Sequence, residues 1–379
     1  MTSAMQQLRH SLHQKPELSG EEHDTANTVA AILSTYGPDE LMTEVGGYGL
    51  LARFKGNASG PRVMLRCELD AVPIQETNEF EYRSIYAGVS HKCGHDGHMA
   101  ILLETARRLC EQRPDRGEIM LLFQPAEETS VGAYAVCNDE KFQQRKPDYC
   151  FALHNVPGYP LGSVVVREHS MCCASRGLII CLQGQTAHAA QPECGNSPTA
   201  AVVGLIEHCN EIESRYQEAD DEIVLLTLVG TRIGNRTFGN TPKFAEIFVT
   251  LRSQKNTTLD KIDDEVRNKV AALCEQYDLD HSFEKEDDFP ATVNDPQAVA
   301  IIRAACNSMD VACCEPDKPI RWSEDFGYFT QQTTGALFGL GAGEDHAGLH
   351  DSEYDFPDEL IDRGADMFIA ISAQLLNSD

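Results

Sequence analysis

The chain has 379 residues, more than one hydrophobic core usually organises, so its length favours two domains of roughly 100–200 residues each. With 42% hydrophobic and 24% charged residues, its composition is that of a soluble globular protein and excludes a disordered or fibrous chain. The 31 basic and 59 acidic side chains give a net charge of −28, which would repel phosphate backbones and anionic lipid headgroups. We therefore expect neither nucleic acid nor a membrane surface as a partner.

Targeting signals and cysteine content both point to one compartment. No apolar run approaches the roughly 18–20 residues that span a bilayer, and the first residues lack a charged-then-apolar signal pattern. Fourteen cysteines in a long chain without an export signal favour reduced thiols over disulfides. The sequence therefore predicts a cytoplasmic protein.

Alternating periodic segments predict a layered α/β domain. The first 35 residues have helical spacing of apolar positions, and a further helix is predicted over about 97–112. From residue 292 onward the pattern returns to helix, strand and helix, with GALFGLGAG as a buried strand and 358–376 as the closing helix. Short apolar runs earlier in the chain predict strands over 49–54, 62–68, 118–125 and 149–155. Strands that alternate with helices favour the α/β class.

A different order of elements occupies the middle of the chain. Between residues 174 and 287 the pattern predicts β-α-β-β-α-β, the order of a ferredoxin-like split unit. About 110 residues suit one small inserted domain. We therefore predict a larger domain formed by 1–173 and 288–379, with 174–287 as an inserted α+β domain.

The run HKCGHDGH at 91–98 is the densest group of metal-ligating residue types. Cys93 and His95 can reach one metal ion, and the glycines of the run allow the backbone to fold tightly around it. His91 and His98 are weaker ligand candidates. The alternative is a structural loop with surface histidines and a buried cysteine.

Other polar residues follow predicted strands at the points where the strands end. An α/β sheet places its ligands at the carboxyl ends of its strands. Any one of these residues alone would be typical of a solvated loop, but their shared position on successive strands favours a common site. They are Asp70, Glu127, Glu128, His154 and His350.

The adjacent carboxylates Glu127 and Glu128 could serve two different roles. Neighbouring side chains diverge, so one carboxylate can bind a metal ion while the other takes a proton from a bridging water. An exposed helix start is the alternative interpretation of such a pair. Its position after QPA at a strand end favours the functional one.

The potential metal ligands are numerous enough for two ions. Two cations roughly 3.5–4 Å apart could share a thiolate or a water, whereas one zinc ion would need only three or four ligands. A mixture of imidazole, carboxylate and thiolate suits Zn²⁺, with Mn²⁺, Co²⁺ or Ni²⁺ as alternatives, and disfavours Ca²⁺. The five candidates are Cys93, His95, Glu128, His154 and His350.

The predicted inserted domain contributes a loop, GQTAHAAQPE, and two later motifs, FGNTP and LRS. As a donor, His188 could stabilise an oxyanion, while Asn240 and Arg252 could hold a substrate carboxylate. The alternative for His188 is a loop imidazole without a function.

These motifs, in this order, resemble the amidohydrolase branch of the metallo-aminoacylase and carboxypeptidase superfamily. That branch includes hippurate hydrolases, N-acetyl-amino-acid deacetylases and auxin-conjugate hydrolases. The resemblance covers nearly the whole chain and is carried by RHSLHQKPELSGEE, RCELDAVPIQE, HKCGHDGHMA, LLFQPAEET, LHN, GQTAHAAQPE, WSEDFGYF and GLHDSEYDFPDE.

The resemblance implies a zinc-peptidase-like layered catalytic domain with a dinuclear site, and a ferredoxin-like lid that often also mediates dimerisation. Glu127 would be the general base and His188 the lid histidine. Asn240 and Arg252 match substrate-contacting positions, and the motif with Glu324 and Asp325 lines the site. The implied metal ligands are Cys93, His95, Glu128, His154 and His350.

The sequence departs from the branch at two motifs. The stretch usually written R-A-D-x-D-A-L-P is here RCELDAVP, with Cys67 and Glu68 in place of Ala and Asp. Asp70 is kept, as a residue expected to orient a metal ligand. The loop before His188 reads GQTAH where a second glycine is common, which bears on the preferred acyl group.

The leading hypothesis is a metal-dependent hydrolase that cleaves the amide bond of N-acyl amino acids by attack of a metal-bound water. A homodimer through the lid domain is the expected assembly. The related alternative is a dipeptidase or carboxypeptidase that uses the same dinuclear site. Two other classes are a hydrolase with Cys93 as nucleophile and a metal-binding scaffold without turnover. The second carboxylate of the Glu127 and Glu128 pair disfavours a scaffold, because a structural metal site does not need it.

Overall fold

The computed structural model describes residues 3–219 and 222–377. The chain divides into two compact units. The first comprises Met1–Met171, Thr292–Lys318 and Asp325–Asp379, and the second comprises Cys172–Ala291 and Pro319–Glu324. The predicted α/β class with an inserted α+β domain is confirmed.

Some of the helices begin at recognisable side-chain caps. Ser3 and Gln6 form a capping box at the start of α1, and Asp295 caps α8, whose first residue is Pro296. In chain order the helices of the described residues are α1 (Ala4–His13), α2 (His23–Thr35), α3 (His95–Glu111), α4 (Gly132–Asn138), α5 (Glu140–Gln143), α6 (Thr199–Ala219), α7 (Asn256–Tyr277), α8 (Pro296–Met309), α9 (Gly327–Thr330) and α10 (Leu360–Leu376).

The short apolar runs predicted as strands overlap described strands, whereas β11 is largely polar. The described strands are β1 (Glu40–Val45), β2 (Gly49–Lys55), β3 (Ala58–Glu68), β4 (Arg116–Gln124), β5 (Tyr149–Val156), β6 (Val164–Val165), β7 (His169–Cys172), β8 (Ala174–Gln183), β9 (Val224–Ile233), β10 (Phe244–Ser253), β11 (Asp280–Phe289), β12 (Thr292–Asn294), β13 (Cys313–Cys314) and β14 (Thr334–Gly341).

The first unit is built on an eight-stranded mixed sheet in the order β1-β2-β4-β3-β5-β14-β6-β13. Its four central strands, β4, β3, β5 and β14, run parallel to one another. Their apolar runs are buried along their length, as expected of parallel strands with both faces covered. Parallel alignment brings the carboxyl ends of these four strands to the same edge of the sheet.

Helices cover this sheet and complete the core of the first unit. Helix α3 packs against α1, α2 and α10, and α10 packs against α8. Buried side chains of these helices, among them Val29, Ile101, Ile302 and Phe368, share one apolar cluster with the strands. At about 25 cal/mol per Å² of buried apolar surface, this cluster is the main source of stability in the unit.

The second unit has the predicted β-α-β-β-α-β order, as β8-α6-β9-β10-α7-β11. Its four strands form an antiparallel sheet in the order β11-β8-β10-β9. Residues 319–324, which the sequence assigned to the larger domain, group with this unit. The backbone N–H of Cys173 donates to the carbonyl of Ile320 at 3.1 Å, and Arg252 donates to Ser323 Oγ at 2.9 Å.

The described cysteines are present as reduced thiols. Among the described residues, none of the helices combines the length and the apolar character needed to cross a bilayer.

Candidate active site

The carboxyl edge of the parallel strands gathers the polar residues that follow them. Asp70 lies just beyond β3, the pair Glu127 and Glu128 follows β4, and His154 lies near the end of β5. His350 lies in the loop after β14, and its backbone N–H donates to the carbonyl of Lys92 at 2.9 Å. This hydrogen bond holds the His350 loop beside the Cys93 loop.

Gly94 shapes the turn between Cys93 and α3. It has a left-handed backbone with φ 93°, and a Cβ atom at this position would lie 2.6 Å from Oδ1 of Asn155. Only glycine adopts this conformation without strain and leaves room for the Asn155 amide. The turn starts α3 at His95, so Cys93 and His95 face the same small volume.

Two overlapping groups of ligand atoms occupy this volume. The ligand atoms of Cys93, His95 and His154 all lie within 4.8 Å of one another, and so do those of Cys93, Glu128 and His350. Cys93 Sγ is 3.5 Å from His154 Nε2, and His350 Nε2 is 3.5 Å from Glu128 Oε1. All five predicted ligands therefore converge, and Cys93 is common to both groups.

Glu127 lies beside these groups. One of its carboxylate oxygens is 3.9 Å from His95 Nε2, and the other accepts a hydrogen bond from the backbone N–H of Asp325 at 3.4 Å. The side chain is buried, with only 4% of the residue exposed. A shielded carboxylate next to a candidate metal-binding group is well placed to exchange protons with a small molecule bound there.

Asp70 orients the candidate ligands around it. Its carboxylate accepts hydrogen bonds from Ser19 Oγ at 2.7 Å and from the backbone N–H of Glu128 at 2.9 Å. Its carbonyl oxygen lies 2.9 Å from Nδ1 of His95. Burial alone would raise the pKa of Asp70, but the hydrogen bonds from His95, Ser19 and Glu128 hold it below its ordinary value.

Carbonyl partners also fix the orientation of two candidate imidazoles. With Nδ1 of His95 donating to the Asp70 carbonyl, Nε2 is left as the candidate ligand atom. His154 repeats this arrangement, since its Nδ1 lies 2.9 Å from the carbonyl of Asn155. Both rings therefore present Nε2 to the cluster.

The N-terminal motif PELSGEE supports the site, a role that the sequence did not reveal. Besides the hydrogen bond from Ser19 to Asp70, the buried carboxylate of Glu22 accepts the backbone N–H of Ala126 at 2.7 Å. Ala126 has a φ of 50°, unusual for a residue with a side chain, and it directly precedes Glu127. The motif was part of the family resemblance, which was the only signal available for it.

A buried ionic cluster lies on the other side of the 91–98 run. Asp96 accepts hydrogen bonds from Arg9 at 3.2 Å and from His13 at 2.9 Å, and all three side chains are fully buried. His13 also pairs with Glu76 at 3.1 Å. The motif RHSLH of α1 therefore anchors the first turn of α3, the turn that carries His95.

His91 and His98 lie outside the two ligand groups shared by Cys93. Both ring nitrogens of His98 have other partners, Glu68 at 2.5 Å and Asn155 at 2.5 Å, and burial lowers the pKa of this imidazole well below its usual value. Glu68, His95 and His98 form another group of ligand types within 4.8 Å. Glu68, the residue that departs from the family pattern, thus serves as the carboxylate partner of His98. The ring of His91 is buried and makes no hydrogen bond to a described residue.

Asp325 belongs to a buried polar network below Glu127. Its carboxylate accepts hydrogen bonds from Arg66 at 2.8 Å, from Gln124 at 2.8 Å and from the backbone N–H of Ala133 at 2.8 Å. The backbone N–H of Asp325 is the one that reaches Glu127. Glu324 groups with the second unit.

The three remaining candidates lie in the second unit. His188 and Asn240 are exposed and form an isolated β-bridge. The backbone N–H of Ala190 donates to Nδ1 of His188 at 3.1 Å, so the neutral ring carries its proton on Nε2. Arg252 donates to Ser323 Oγ and, at 3.2 Å, to the carbonyl of Arg321.

The chain is similar over most of its length to proteins named as a hydrolase and a deacetylase. The chain is 30% identical to a hippurate hydrolase from Campylobacter jejuni over 98% of its own length and 96% of the relative's. It is 32% identical to an N-acetyl-L-cysteine deacetylase from Bacillus subtilis, over 90% of this chain and 81% of the relative. A solved structure from Bacillus subtilis, described as a dinuclear metal-binding peptidase of the M20 family, superposes with a TM-score of 0.83. It is 22% identical and covers 98% of this chain and 97% of its own.

A family model described as peptidase family M20/M25/M40 matches residues 64–374, which include all five candidate ligands. The match spans most of both units, and the similarity to the relatives extends over nearly the whole chain. The chain therefore belongs to peptidase family M20/M25/M40 and is a hydrolase of amide bonds.

Proposed function

We propose that this protein hydrolyses N-acyl amino acids at a dinuclear metal centre held by Cys93, His95, Glu128, His154 and His350. The observation that carries the proposal is the pair of overlapping ligand groups that share Cys93. One group would offer a thiolate and two imidazoles, and the other the same thiolate, a carboxylate and an imidazole, which together are enough donors for two cations. The relatives supply the substrate class, because two of them act on acylated amino acids by name.

The residues fit two divalent ions of the zinc type. Glu128 Oε1 is buried and accepts no hydrogen bond from a described residue, and it is 3.8 Å from His95 Nε2 and 3.5 Å from His350 Nε2. Burying such an oxygen is costly unless a cation or donor satisfies it. Thiolate and imidazole favour Zn²⁺, and Mn²⁺, Co²⁺ and Ni²⁺ are alternatives. When bound, the ions would lower the pKa of a water and polarise the substrate carbonyl.

Glu127 moves the proton in the proposed reaction. Its carboxylate would accept a proton from the attacking water and later deliver it to the nitrogen of the leaving amino acid. The contact with the backbone N–H of Asp325 orients this side chain. Glu128 cannot share this task while it serves as a ligand, which is why two adjacent carboxylates are useful.

The second unit would supply groups for the substrate. The protonated Nε2 of His188 is a donor suited to the oxyanion of the tetrahedral intermediate, as supported by the hydrogen bond that Nδ1 accepts from Ala190. Asn240 and Arg252 are proposed to hold the substrate carboxylate, since an amide and a guanidinium both donate to carboxylate oxygens.

A substrate screen tests the reaction and its specificity together. Protein reconstituted with Zn²⁺ or Mn²⁺ would be assayed against N-acetyl and N-benzoyl amino acids and against dipeptides with the same C-terminal residue. We expect faster turnover of the acyl amino acids, and loss of activity after chelation that is restored by metal. Faster cleavage of the dipeptides would favour a dipeptidase or carboxypeptidase. Activity that survives chelation but not alkylation would favour Cys93 as nucleophile.

We also propose a homodimer formed through the second unit. Strand β9 is an edge of its sheet and exposes Leu228 and Val229, the latter to 66%. An apolar edge strand is a template for association with another chain. Val229→Lys should shift the protein towards monomer in sedimentation velocity, whereas Val293→Lys, at an exposed position of the first unit, should not. A dimer that persists unchanged in Val229→Lys would contradict this assembly.

A further inference from the structure

Two cysteines outside the candidate active site form a contacting pair. Cys306 lies in α8 and Cys313 in β13, and their side chains are hydrogen-bonded to each other. Cys306 is fully buried in the core of the first unit, whereas Cys313 is exposed. One thiol of the pair is therefore exposed to solvent and the other is buried.

A tight turn brings the two residues together. Helix α8 ends at Met309. The next residue, Asp310, caps it with a left-handed φ of 53°, and the backbone N–H of Val311 donates back to the carbonyl of Cys306 at 3.0 Å. Strand β13 follows at once and pairs with β6, with Cys313 opposite Val164. The contact of the thiols is thus fixed by the backbone on both sides.

The neighbouring Cys314 is directed differently. Successive side chains of a strand point to opposite faces, so Cys314 lies on the face away from Cys313. Cys314 pairs in register with Val165, and its carbonyl accepts the backbone N–H of Val166 at 2.9 Å. Cys314 is therefore a suitable control residue, because it is adjacent to Cys313 in the sequence but lies on the opposite face of the strand.

The charges around the pair favour a reactive thiolate at Cys313. The hydrogen bond from Cys306 and the positive charge of Arg303 lower the pKa of Cys313 to about 7, against the opposing effects of burial and Glu315. Arg303 itself pairs with Glu315 at 2.8 Å and with Glu168 at 3.1 Å. Near neutral pH a large fraction of this thiol would be thiolate, the form that attacks peroxides.

We propose that Cys306 and Cys313 form an oxidative modification site whose substrate is a hydroperoxide. The Cys313 thiolate attacks a peroxide oxygen, the O–O bond breaks, and the products are a Cys313 sulfenic acid and hydroxide, or alkoxide from an organic peroxide. The Cys306 sulfur then attacks the sulfenic sulfur and displaces hydroxide, which takes up the thiol proton and leaves as water. With hydrogen peroxide, two thiols and one peroxide give one disulfide and two waters. The proposal is independent of the substrate of the metal centre.

Peptide mapping tests the site in the metal-loaded full chain. After brief exposure to hydrogen peroxide, free thiols are blocked by alkylation and the protein is cleaved before aspartate residues. Cleavage before Asp310 separates Cys306 from Cys313, so a disulfide appears as two linked peptides. We expect this linked species, lighter by about 2 Da than the reduced pair and released by dithiothreitol.

Matched variants identify the partner of Cys306. Cys314→Ser should retain the linked peptides and Cys313→Ser should lose them, with folding checked by circular dichroism. Cys313 is exposed, so its replacement is not expected to disturb the core. Recovery of Cys306 and Cys313 as alkylated thiols after peroxide treatment would overturn the proposal, as would a link between Cys306 and Cys314.

A second measurement needs no variant. Cys313 should react with iodoacetamide at pH 7 several-fold faster than Cys110 and Cys194, which are also exposed. Time-resolved alkylation followed by peptide mapping gives the three rates in one sample. A Cys313 rate equal to or below those of the other two thiols would rule out the activated thiolate on which the first step depends.

Discussion

The carboxylate of Asp70 accepts a hydrogen bond from the backbone N–H of Glu128 at 2.9 Å. The carbonyl oxygen of Asp70 also accepts a hydrogen bond from Nδ1 of His95. One buried aspartate thus sets the position of one proposed ligand and the orientation of another, although it lies outside the five-residue ligand set itself.

Asp70→Asn should therefore weaken metal binding. The amide oxygen can still accept a hydrogen bond, but the negative charge that favours the cations and orients their ligands is lost. Replacement of such outer partners typically costs about 10–100-fold in metal affinity, which chelator competition would measure. Asp24→Asn is the control, because the Asp24 side chain is 88% exposed. Wild-type affinity in Asp70→Asn would show that Asp70 does not support the ligands.

Glu127→Gln should separate turnover from metal binding. The amide cannot accept the proton of the attacking water, so kcat should fall by roughly 10²–10⁴-fold. Metal content, measured by inductively coupled plasma mass spectrometry, should remain that of the wild type, because Glu127 is not among the proposed ligands. Glu21→Gln provides an exposed control in the same chain. Near-normal turnover in metal-loaded Glu127→Gln would reject the general-base role.

Gly94→Ala should damage the site more than an equally strained glycine replacement elsewhere. Gly88 also has a positive φ, 76°, but a Cβ atom there would have no neighbour within 4 Å. Gly88→Ala should thus cost only the backbone strain, about 1–2 kcal/mol. Gly94→Ala adds a clash with the Asn155 amide, which also contacts His98. We expect a larger fall in the free energy of unfolding and a loss of metal affinity that Gly88→Ala does not show.

The strand-end residues could be predicted because they depend on short-range patterns. An apolar run followed by a polar residue predicts both the strand and the edge at which its side chain lies, as for Asp70 and His154. The supporting contacts could not be predicted in this way. Ser19 and Glu22 reach Asp70 and Ala126 across 51 and 104 positions of the chain, and no local periodicity encodes such pairings.

Contacts between residues far apart in the sequence also explain the other differences between the sequence predictions and the structure. Residues 319–324 group with the second unit because of hydrogen bonds to residues far away in the sequence, such as Arg252 and Ser323. The pairing of Glu68 with His98 likewise depends on β3 and α3 packing side by side. A family resemblance names the motifs that matter, whereas their partners become visible only in three dimensions.

Titration of His13 should make the free energy of unfolding fall as the pH rises above neutrality. Burial alone would lower its pKa, but the charge of Asp96 and hydrogen bonds to Asp96 and Glu76 raise the pKa of His13 from 6.5 to about 9. A group whose pKa is raised on folding stabilises the protein fully below its unfolded pKa. That contribution is lost as the pH rises through the folded pKa. The free energy of unfolding should therefore fall between about pH 6.5 and 9 by up to the order of 3 kcal/mol.

His13→Gln isolates this effect from other titrations. The variant lacks the protonated imidazole, so the stability difference between it and the wild type should be greatest below pH 6.5 and should shrink as the pH approaches 9. Urea unfolding at fixed metal content over this range would measure the difference. His23→Gln, at a side chain that is 64% exposed, controls for loss of a histidine on the surface. A pH-independent difference would mean that His13 stabilises α3 through packing and hydrogen bonds rather than through its charge.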